Sequence, residues 1–284
     1  PAAGTGLSTH ELNQPGCYRD VKDTTCTSQF KVVRDAKSEK LFAGVEGDLY
    51  FLAWTTTPWT LPSNLALCVN PKEDYVKVKT GDGYTYYIAQ ALADTVLGED
   101  YEVLETYKGK DLEFKEYEPL YDCSVPLCEK QHKKAYYVVC ADYVTLTDGT
   151  GIVHIAPAFG EDDANVGRKY DLPFVQLVDA KGDMTADTPF AGTFVKDADP
   201  MVLKDLESRG LLFSAPSFEH SYPHCWRCKK PIIFRATPQW FCSVDAFKDE
   251  ACAACDDVRW VPGWGIDRMK SMIRERADWC ISRQ

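Results

Sequence analysis

The sequence of 284 residues lacks several features that would each indicate a familiar class of protein. No apolar run approaches the roughly 20 residues of a membrane-spanning helix, so we expect no membrane partner. The first residues contain neither a basic segment nor an apolar one, which predicts that they are not a signal peptide. The formal net charge of −11 argues against a general nucleic-acid coat. A polyanion would need a local basic patch, for which the candidates are 130–134, 227–230 and 268–276.

Common catalytic fingerprints are absent as well. The chain has no G-x-G-x-x-G segment, no P-loop, no H-E-x-x-H and no G-x-S-x-G. Nucleotide-driven activation and serine hydrolase chemistry of the usual kinds are therefore not indicated. Twelve cysteines are present, and in a chain of this length without a signal peptide they favour reduced thiols over a disulfide framework. We therefore expect a cytoplasmic protein.

Many short apolar segments alternate with turn residues and with a few segments of helical spacing. This pattern predicts a mixed α+β fold dominated by β, namely a β-barrel-like domain with inserted helices. A C-terminal C-x-x-C knuckle and a helical segment follow. We place the boundaries so that 1–29 forms a linker or ribbon, 30–216 the β-barrel domain, and 217–284 the knuckle and helical segment.

The stretch 54–64, Trp-Thr-Thr-Thr-Pro-Trp-Thr-Leu-Pro-Ser-Asn, follows an uncharged apolar run that predicts a buried strand. Pro58 and Pro62 fix their own φ and lack a backbone N–H, so the strand must end and turn there. The hydroxyls of Thr55, Thr56, Thr57 and Thr60 are then close together at a strand end. They suit a sugar, a phosphate or a positioned water. The alternative is a threonine-rich turn bonded to its own backbone.

A second candidate site contains His154 and Asp163. His154 ends an apolar strand, and Asp163 lies in the first turn of the predicted helix that follows Pro157 and Gly160. This strand–turn–helix arrangement can direct both side chains to one mouth, where a carboxylate binds an ammonium group and an imidazole shapes a pocket. The alternatives are a hydrogen-bonded core histidine and acidic residues that cap a helix.

Cys225 and Cys228 form a C-x-x-C pair that supplies half the ligands of a tetrahedral zinc site. Cys252 and Cys255 repeat the spacing, but their segment has no Gly or Pro and favours a helix. A redox pair is the other option, although no βαβ context surrounds the motif.

Two of these segments together resemble the signature segments of the isoleucyl-tRNA synthetase editing domain, also called connective peptide 1. They are 54–64 and 149–163, the latter reading Gly-Thr-Gly-Ile-Val-His-Ile-Ala-Pro-Ala-Phe-Gly-Glu-Asp-Asp. Segments 221–228 and 278–284 are similar to the path by which this family returns toward its catalytic core. The related valyl and leucyl enzymes carry Thr-Thr-Arg-Pro where this chain has Thr-Thr-Thr-Pro, which favours the isoleucyl family.

The resemblance implies a hydrolase that removes valine from mischarged tRNA(Ile), and possible action on valyl-adenylate before transfer stays open. The partners it implies are the valine-charged 3′ end of tRNA(Ile) and the rest of a synthetase, and we expect a monomer. The resemblance also implies a role for each candidate residue. The terminal adenosine and the attacking water are held by Thr55, Thr56, Thr57 and Thr60, and the substrate pocket is shaped by Trp54, Asn64 and Ala156. His154 excludes isoleucine, and Asp163 pairs with the α-ammonium.

The chain contains neither His-x-Gly-His nor Lys-Met-Ser-Lys-Ser, the adenylation signatures of the resembled family. We therefore expect deacylation without aminoacylation. Hydrolysis of an activated ester requires no cofactor. Cys225 and Cys228 stay zinc candidates, but the partner pair that the family often carries just before the segment like 4–11 is trimmed or replaced here, where the chain reads Pro-Ala-Ala-Gly. The alternative function is a non-catalytic module that binds the tRNA acceptor end.

Overall fold

The computed structural model describes residues 6–282. Within this range the strands are β1 Tyr18–Thr24, β2 Cys26–Lys31, β3 Leu49–Thr55, β4 Ala66–Val69, β5 Asp74–Thr80, β6 Thr85–Ala89, β7 Tyr101–Lys108, β8 Tyr137–Cys140, β9 Ile152–Ile155, β10 Leu212–Ser214, β11 Ser217–Pro223, β12 Phe241–Cys242 and β13 Trp279–Cys280. The α-helices are α1 Thr9–Leu12, α2 Ala93–Leu97, α3 Gly109–Leu112, α4 Val125–Lys130, α5 Glu161–Lys169, α6 Val195–Ser208, α7 Lys248–Ala254 and α8 Gly265–Arg274.

A curled, half-barrel sheet organises the larger part of the molecule, which confirms the predicted strand-dominated fold. Its described strands follow the order β7-β5-β6-β3-β9-β4-β8, and β2 joins on the free side of β3 and pairs with β10. Strand β3 is parallel to β6 along its first residues and parallel to β9 at its end, where Trp54 pairs with Val153. The branching at β3 therefore brings the end of the threonine segment beside His154.

Strand β3 forms as the sequence predicts because Leu49–Thr55 is uncharged and almost entirely buried. The chain then turns into a 3-10 helix, Pro58–Ser63, whose residues are all buried. Pro58 occupies its first position, where a missing N–H costs nothing and the fixed φ already suits a helix. The turn at residues 80–83 also joins β5 to β6 as an antiparallel hairpin, as its Gly-Asp-Gly sequence predicts.

The compact units of the chain divide after Ala236, whereas we predicted a boundary near residue 217. Strand β11 pairs with β1 along its whole length, from Ser217 opposite Thr24 to Pro223 opposite Tyr18. The backbone N–H of Ala236 also donates to Ala158 O at 2.7 Å. These long-range bonds tie 217–236 to the first unit. They also show that the predicted linker contains a complete strand, β1, and most of β2.

The second unit, residues 237–284, contains α7 and α8 and the short antiparallel pair of β12 and β13. The side chain of Asp278 connects the two ends of this unit, because its Oδ1 accepts from Val244 N at 2.8 Å. Cys252 and Cys255 are buried within it, on α7 and the turn that follows. In the part of the chain that the structure describes, no helix has the length and apolarity needed to cross a membrane.

Candidate functional site

The end of β3 and the 3-10 helix after it carry the four threonines. The helix begins with a bond from Thr60 N to Thr57 O, 3.0 Å long. It ends with Asn64, whose N–H donates to Leu61 O. Between Thr57 and Asn64 the chain reverses its direction beside the end of β9. The Thr60 hydroxyl and the Asn64 amide therefore contact the side chain of His154, at a sequence separation that no local pattern could reveal.

A chain of hydrogen bonds joins these groups through His154. Tyr117 donates its hydroxyl to Asn64 Oδ1 at 2.6 Å, and Asn64 Nδ2 lies 3.3 Å from His154 Nδ1. On the other side of the ring, Nε2 lies 2.7 Å from Thr60 Oγ1, which donates to Thr57 O at 2.7 Å. Asn64 Nδ2 also donates to Ala66 O, and this second bond fixes the orientation of the amide.

These contacts determine the protonation of His154. Because Asn64 Nδ2 can only donate, Nδ1 of the ring must accept, and the single proton of a neutral imidazole lies on Nε2. Thr60 Oγ1 accepts that proton because its own proton is directed at Thr57 O. Burial lowers the pKa of His154 to about 4, so the ring is uncharged at neutral pH. Both ring nitrogens are used, and His154 has the geometry of a hydrogen-bonded core histidine, one of the two alternatives that its sequence context left open.

The other three threonines are less completely bonded than Thr60. Thr57 N donates to Thr55 Oγ1 at 3.1 Å, and Thr57 Oγ1 lies 3.3 Å from the hydroxyl oxygens of Thr55 and Thr60. Within residues 6–282 the hydroxyl of Thr56 has no hydrogen-bond partner. Thr56 and Thr57 are only partly buried, whereas Thr55 and Thr60 are buried. Thr56 and Thr57 are therefore the two hydroxyls available to a ligand.

Asp163 approaches the same strand end from helix α5. The chain passes from β9 through a turn at 156–160, and Asp163 Oδ2 accepts from Ala156 N at 2.9 Å. Gly160 makes this approach possible, since a Cβ on it would lie 3.1 Å from the Asp163 carboxyl carbon. Burial raises the pKa of Asp163 to about 6. No described residue supplies a hydrogen bond to its Oδ1, so this oxygen can accept from a cationic ligand.

Trp54 and Ala156 contribute in different ways. Trp54 precedes Thr55 in β3, and alternate side chains of a strand point to opposite faces of the sheet. Its ring packs edge-to-face on Phe218 at 5.4 Å and lies close to Gly149. Ala156 is buried and offers Asp163 its backbone N–H. A role of Trp54 and Ala156 in substrate binding stays a prediction.

The Cys225–Cys228 pair forms a knuckle in which Lys229 N donates to Cys225 O and Cys225 N donates to Lys230 O. The backbone N–H of Cys228 lowers the pKa of the Cys225 thiol, as suits a metal ligand. A closed zinc site requires four ligands. Among the described residues, no group of three or more His, Cys, Asp or Glu side chains could hold a metal ion. The described residues therefore do not fit a complete zinc site.

Two cavities of the first unit lie away from this cluster. One, of about 490 Å³, is lined by Lys110, Glu113, Phe114, Lys169 and Tyr170 among others. The other, of about 410 Å³, includes Asp23, Lys196, Asp199 and Tyr222 in its lining. Neither lining contains a threonine of 55–60, His154 or Asp163.

Sequence reasoning missed two residues that hold the site in place. Tyr117 fixes Asn64 and through it His154. Asp199, on α6, accepts from the backbone N–H of Trp59 at 2.9 Å. No sequence signal could have identified either one, because each lies in a segment without a motif and reaches the site only through the tertiary fold.

The family model described as tRNA synthetases class I (I, L, M and V) matches residues 1–284. The chain belongs to this family. Among curated relatives, the isoleucine--tRNA ligase of Clostridium novyi (strain NT) is 45% identical over 285 residues, which is all of this chain and 26% of that protein. The isoleucine--tRNA ligase of Latilactobacillus sakei subsp. sakei (strain 23K) is 45% identical over 290 residues, all of this chain and 29% of that protein. The chain thus spans about a quarter of the length of these relatives.

Solved structures agree on the fold. A crystal structure of GlLeuRS-CP1 has a TM-score of 0.56 at 16% identity and covers 68% of this chain and 98% of that one. The editing domain of the P. knowlesi cytosolic leucyl-tRNA synthetase has a TM-score of 0.53 at 14% identity and covers 68% of this chain and 96% of that one. The expected class I synthetase family and the editing-domain fold are therefore confirmed.

Proposed function

We propose that this chain is the part of an isoleucyl-tRNA synthetase that hydrolyses the ester of valine mistakenly attached to tRNA(Ile). The observation that carries the proposal is that the end of β9 holds both an uncharged His154 bonded to Thr60 and, at Ala156, the carboxylate of Asp163 with one unpartnered oxygen. Family membership and the editing-domain fold support it.

The chemical need comes from the similarity of the two amino acids. One methylene separates valine from isoleucine and is worth only about 1–3 kcal/mol of binding, for which isoleucyl enzymes are the standard example. A second site that accepts only the smaller amino acid corrects the residual error. An uncharged ring held by Thr60 and Asn64 is a rigid wall suited to exclude the larger side chain.

In the proposed reaction, Asp163 Oδ1 accepts from the α-ammonium of the valyl ester while the hydroxyls of Thr56 and Thr57 hold the terminal ribose and a water. The water oxygen bonds to the ester carbonyl carbon, the bond from that carbon to the ribose oxygen breaks, and the ribose oxygen leaves with a proton. His154 is not the base, because both of its nitrogens are hydrogen-bonded and its pKa lies near 4. Positioning of the water supplies the rate enhancement.

The three basic patches are poor candidates for a strong tRNA contact. Lys133 pairs with Asp171 at 2.6 Å, Arg227 pairs with Glu11 at 2.8 Å, and Lys270 pairs with Asp256 at 2.6 Å. Each pairing offsets part of the local positive charge. We therefore propose that the substrate is recognised chiefly by its aminoacylated end.

The test is to incubate the chain with Val-tRNA(Ile) and, as the matched control, with Ile-tRNA(Ile), and to follow release of each amino acid. We expect valine to be released at least about tenfold faster, in line with the discrimination that one methylene allows. Equal rates would contradict the proposal. Binding of both tRNAs without hydrolysis of either would instead support the alternative, a non-catalytic module for the acceptor end.

A further inference from the structure

The N-terminus of the 3-10 helix Pro58–Ser63 has an unusual cap. At such an end, the side chain of the N-cap residue normally accepts from the backbone N–H of the second or third helical residue. The N-cap here is Thr57, and its side chain makes no capping bond. Pro58 has no N–H, and Thr60 N already donates to Thr57 O. The N–H of Trp59 is therefore the donor at this end that needs a partner.

Asp199 supplies that partner from a distant part of the chain. Its Oδ1 accepts from Trp59 N at 2.9 Å, across 140 residues of sequence. The acceptor that Thr57 would ordinarily offer is thus provided by helix α6. As a result, the Thr57 hydroxyl remains directed toward the hydroxyls of Thr55 and Thr60, at 3.3 Å from each.

The surroundings of Asp199 make its charged form unfavourable, because the carboxylate is removed from water. Burial raises the pKa of Asp199 to about 7, with Lys196 as the main opposing influence. Lys196 Nζ lies 3.9 Å from Asp199 Oδ2 and 4.0 Å from Asp23 Oδ2, and it is 4.7 Å from the ring centre of Tyr222. These distances are at the limit of an ion pair, so the short bond to Trp59 N is the best-formed contact that the carboxylate makes.

We propose that Asp199 is a positioning residue for the hydrolytic site, which caps the 3-10 helix in place of Thr57 and so keeps the Thr57 hydroxyl available to the substrate. This inference rests on the proposed function. When the Asp199 carboxylate is removed, the Thr57 hydroxyl becomes the nearest available acceptor for the Trp59 N–H and turns away from the ribose and the water. The peptide turn persists, but one of the two ligand-facing hydroxyls is lost.

Three substitutions test the proposal through the kinetics of Val-tRNA(Ile) hydrolysis by the chain. We expect Asp199→Ala to lower kcat on the order of 10- to 100-fold, the effect of a small displacement of a positioning group, with KM changed less than about threefold. Asp199→Asn keeps an oxygen acceptor and should retain kcat within about threefold of the original. Asp197→Ala is the matched control, because Asp197 is an exposed carboxylate two residues earlier on the same helix and its loss should leave kcat unchanged.

A double-mutant cycle distinguishes positioning from general destabilisation. If Asp199 acts through Thr57, then Asp199→Ala should have little further effect on kcat in a Thr57→Val background, since the hydroxyl that it positions is already gone. Multiplicative effects of the two substitutions would overturn the inference, as would full activity of Asp199→Ala or failure of Asp199→Asn to restore kcat.

A second measurement separates this inference from the proposed function. Hydrogen exchange of the Trp59 amide should be much faster in Asp199→Ala than in Asp197→Ala if nothing replaces the lost acceptor. If the Thr57 hydroxyl becomes the cap instead, the χ1 couplings of Thr57 should change. If the original chain releases no valine, the proposed function fails. Unchanged exchange together with unchanged Thr57 couplings overturns the capping role independently of that result.

Discussion

His154 and Asp163 approach the same strand end, but the protein satisfies them to different degrees. Both nitrogens of His154 have hydrogen-bond partners, whereas Oδ1 of Asp163 has none among the described residues. Burial disfavours the charged form of each, so it lowers the pKa of His154 and raises that of Asp163. A side chain with every polar atom bonded can act only through its shape. A carboxylate with a free oxygen keeps the capacity to bind a cation.

The two residues therefore offer different contributions to the site, one of shape and one of charge, although the sequence segment 149–163 contains both. The His154 side of the site is a rigid, neutral surface held by Thr60, Asn64 and Tyr117. The Asp163 side is an incomplete contact that a substrate ammonium would complete. If this distinction is correct, substitution of Asp163 should change substrate binding and rate, whereas substitution of His154 should change selectivity.

Replacing Asp163 should have the largest effect. We expect Asp163→Ala to reduce hydrolysis of Val-tRNA(Ile) by about 100-fold or more, because the ammonium then loses its buried partner. The measurement is kcat/KM for valine release. Asp162→Ala is the matched control, since Asp162 is the exposed preceding residue of α5. Equal losses in the two variants would mean that helix α5 has been disturbed and that Asp163 has no specific role.

Replacing His154 should change selectivity more than rate. We expect His154→Ala to allow hydrolysis of Ile-tRNA(Ile) and to reduce the valine-to-isoleucine rate ratio by about tenfold or more, because the wall that excludes the extra methylene is gone. Valine release should stay within about threefold of the original rate. The ratio is measured from parallel time courses on both substrates. An unchanged ratio in a folded variant would remove His154 from the specificity surface.

A third test concerns the pH dependence of stability, on which the two residues should act with opposite signs. The pKa of Asp163 is raised from 3.8 to about 6, so its contribution to stability is full below 3.8 and is lost as the pH rises through 6. The pKa of His154 is lowered from 6.5 to about 4, so its contribution is present above 6.5 and is lost as the pH falls toward 4. Each amounts to roughly 3 kcal/mol, at about 1.4 kcal/mol per pKa unit.

Denaturant unfolding of three chains between pH 4 and pH 8 measures both contributions. Relative to the original, Asp163→Asn should gain stability as the pH rises, and His154→Gln should gain stability as the pH falls. Taking differences between variant and original cancels the titration of Asp199 and other shared groups. Two differences of the same sign would show that one of the two side chains is not desolvated as the structure indicates.

Much of the local structure could be predicted from the sequence. The uncharged run before Trp54 predicts the strand β3, and the two prolines predict its end, since both effects act within a few residues. The acidic start and basic end of 161–170 likewise predict α5, observed as Glu161–Lys169. Proline favours the first position of a helix, which would start α6 at Asp199, but the helix begins at Val195 and Pro200 lies inside it.

The assembly of the site depended on contacts between residues far apart in the chain. The bonds of His154 to Thr60 and Asn64 span 94 and 90 residues, and the bond of Asp199 to Trp59 spans 140. The bonds of His154 exist because β9 lies parallel to the end of β3. The bond of Asp199 exists because helix α6 packs against the 3-10 helix Pro58–Ser63. The sequence by itself indicated which residues are candidates for the chemistry and determined where the strand before them ends. Only the tertiary structure decided that both nitrogens of His154 are hydrogen-bonded, that Asp163 keeps a free oxygen and that Asp199 caps the 3-10 helix in place of Thr57. The reason is that a hydrogen bond depends on distance in space and not on separation along the chain.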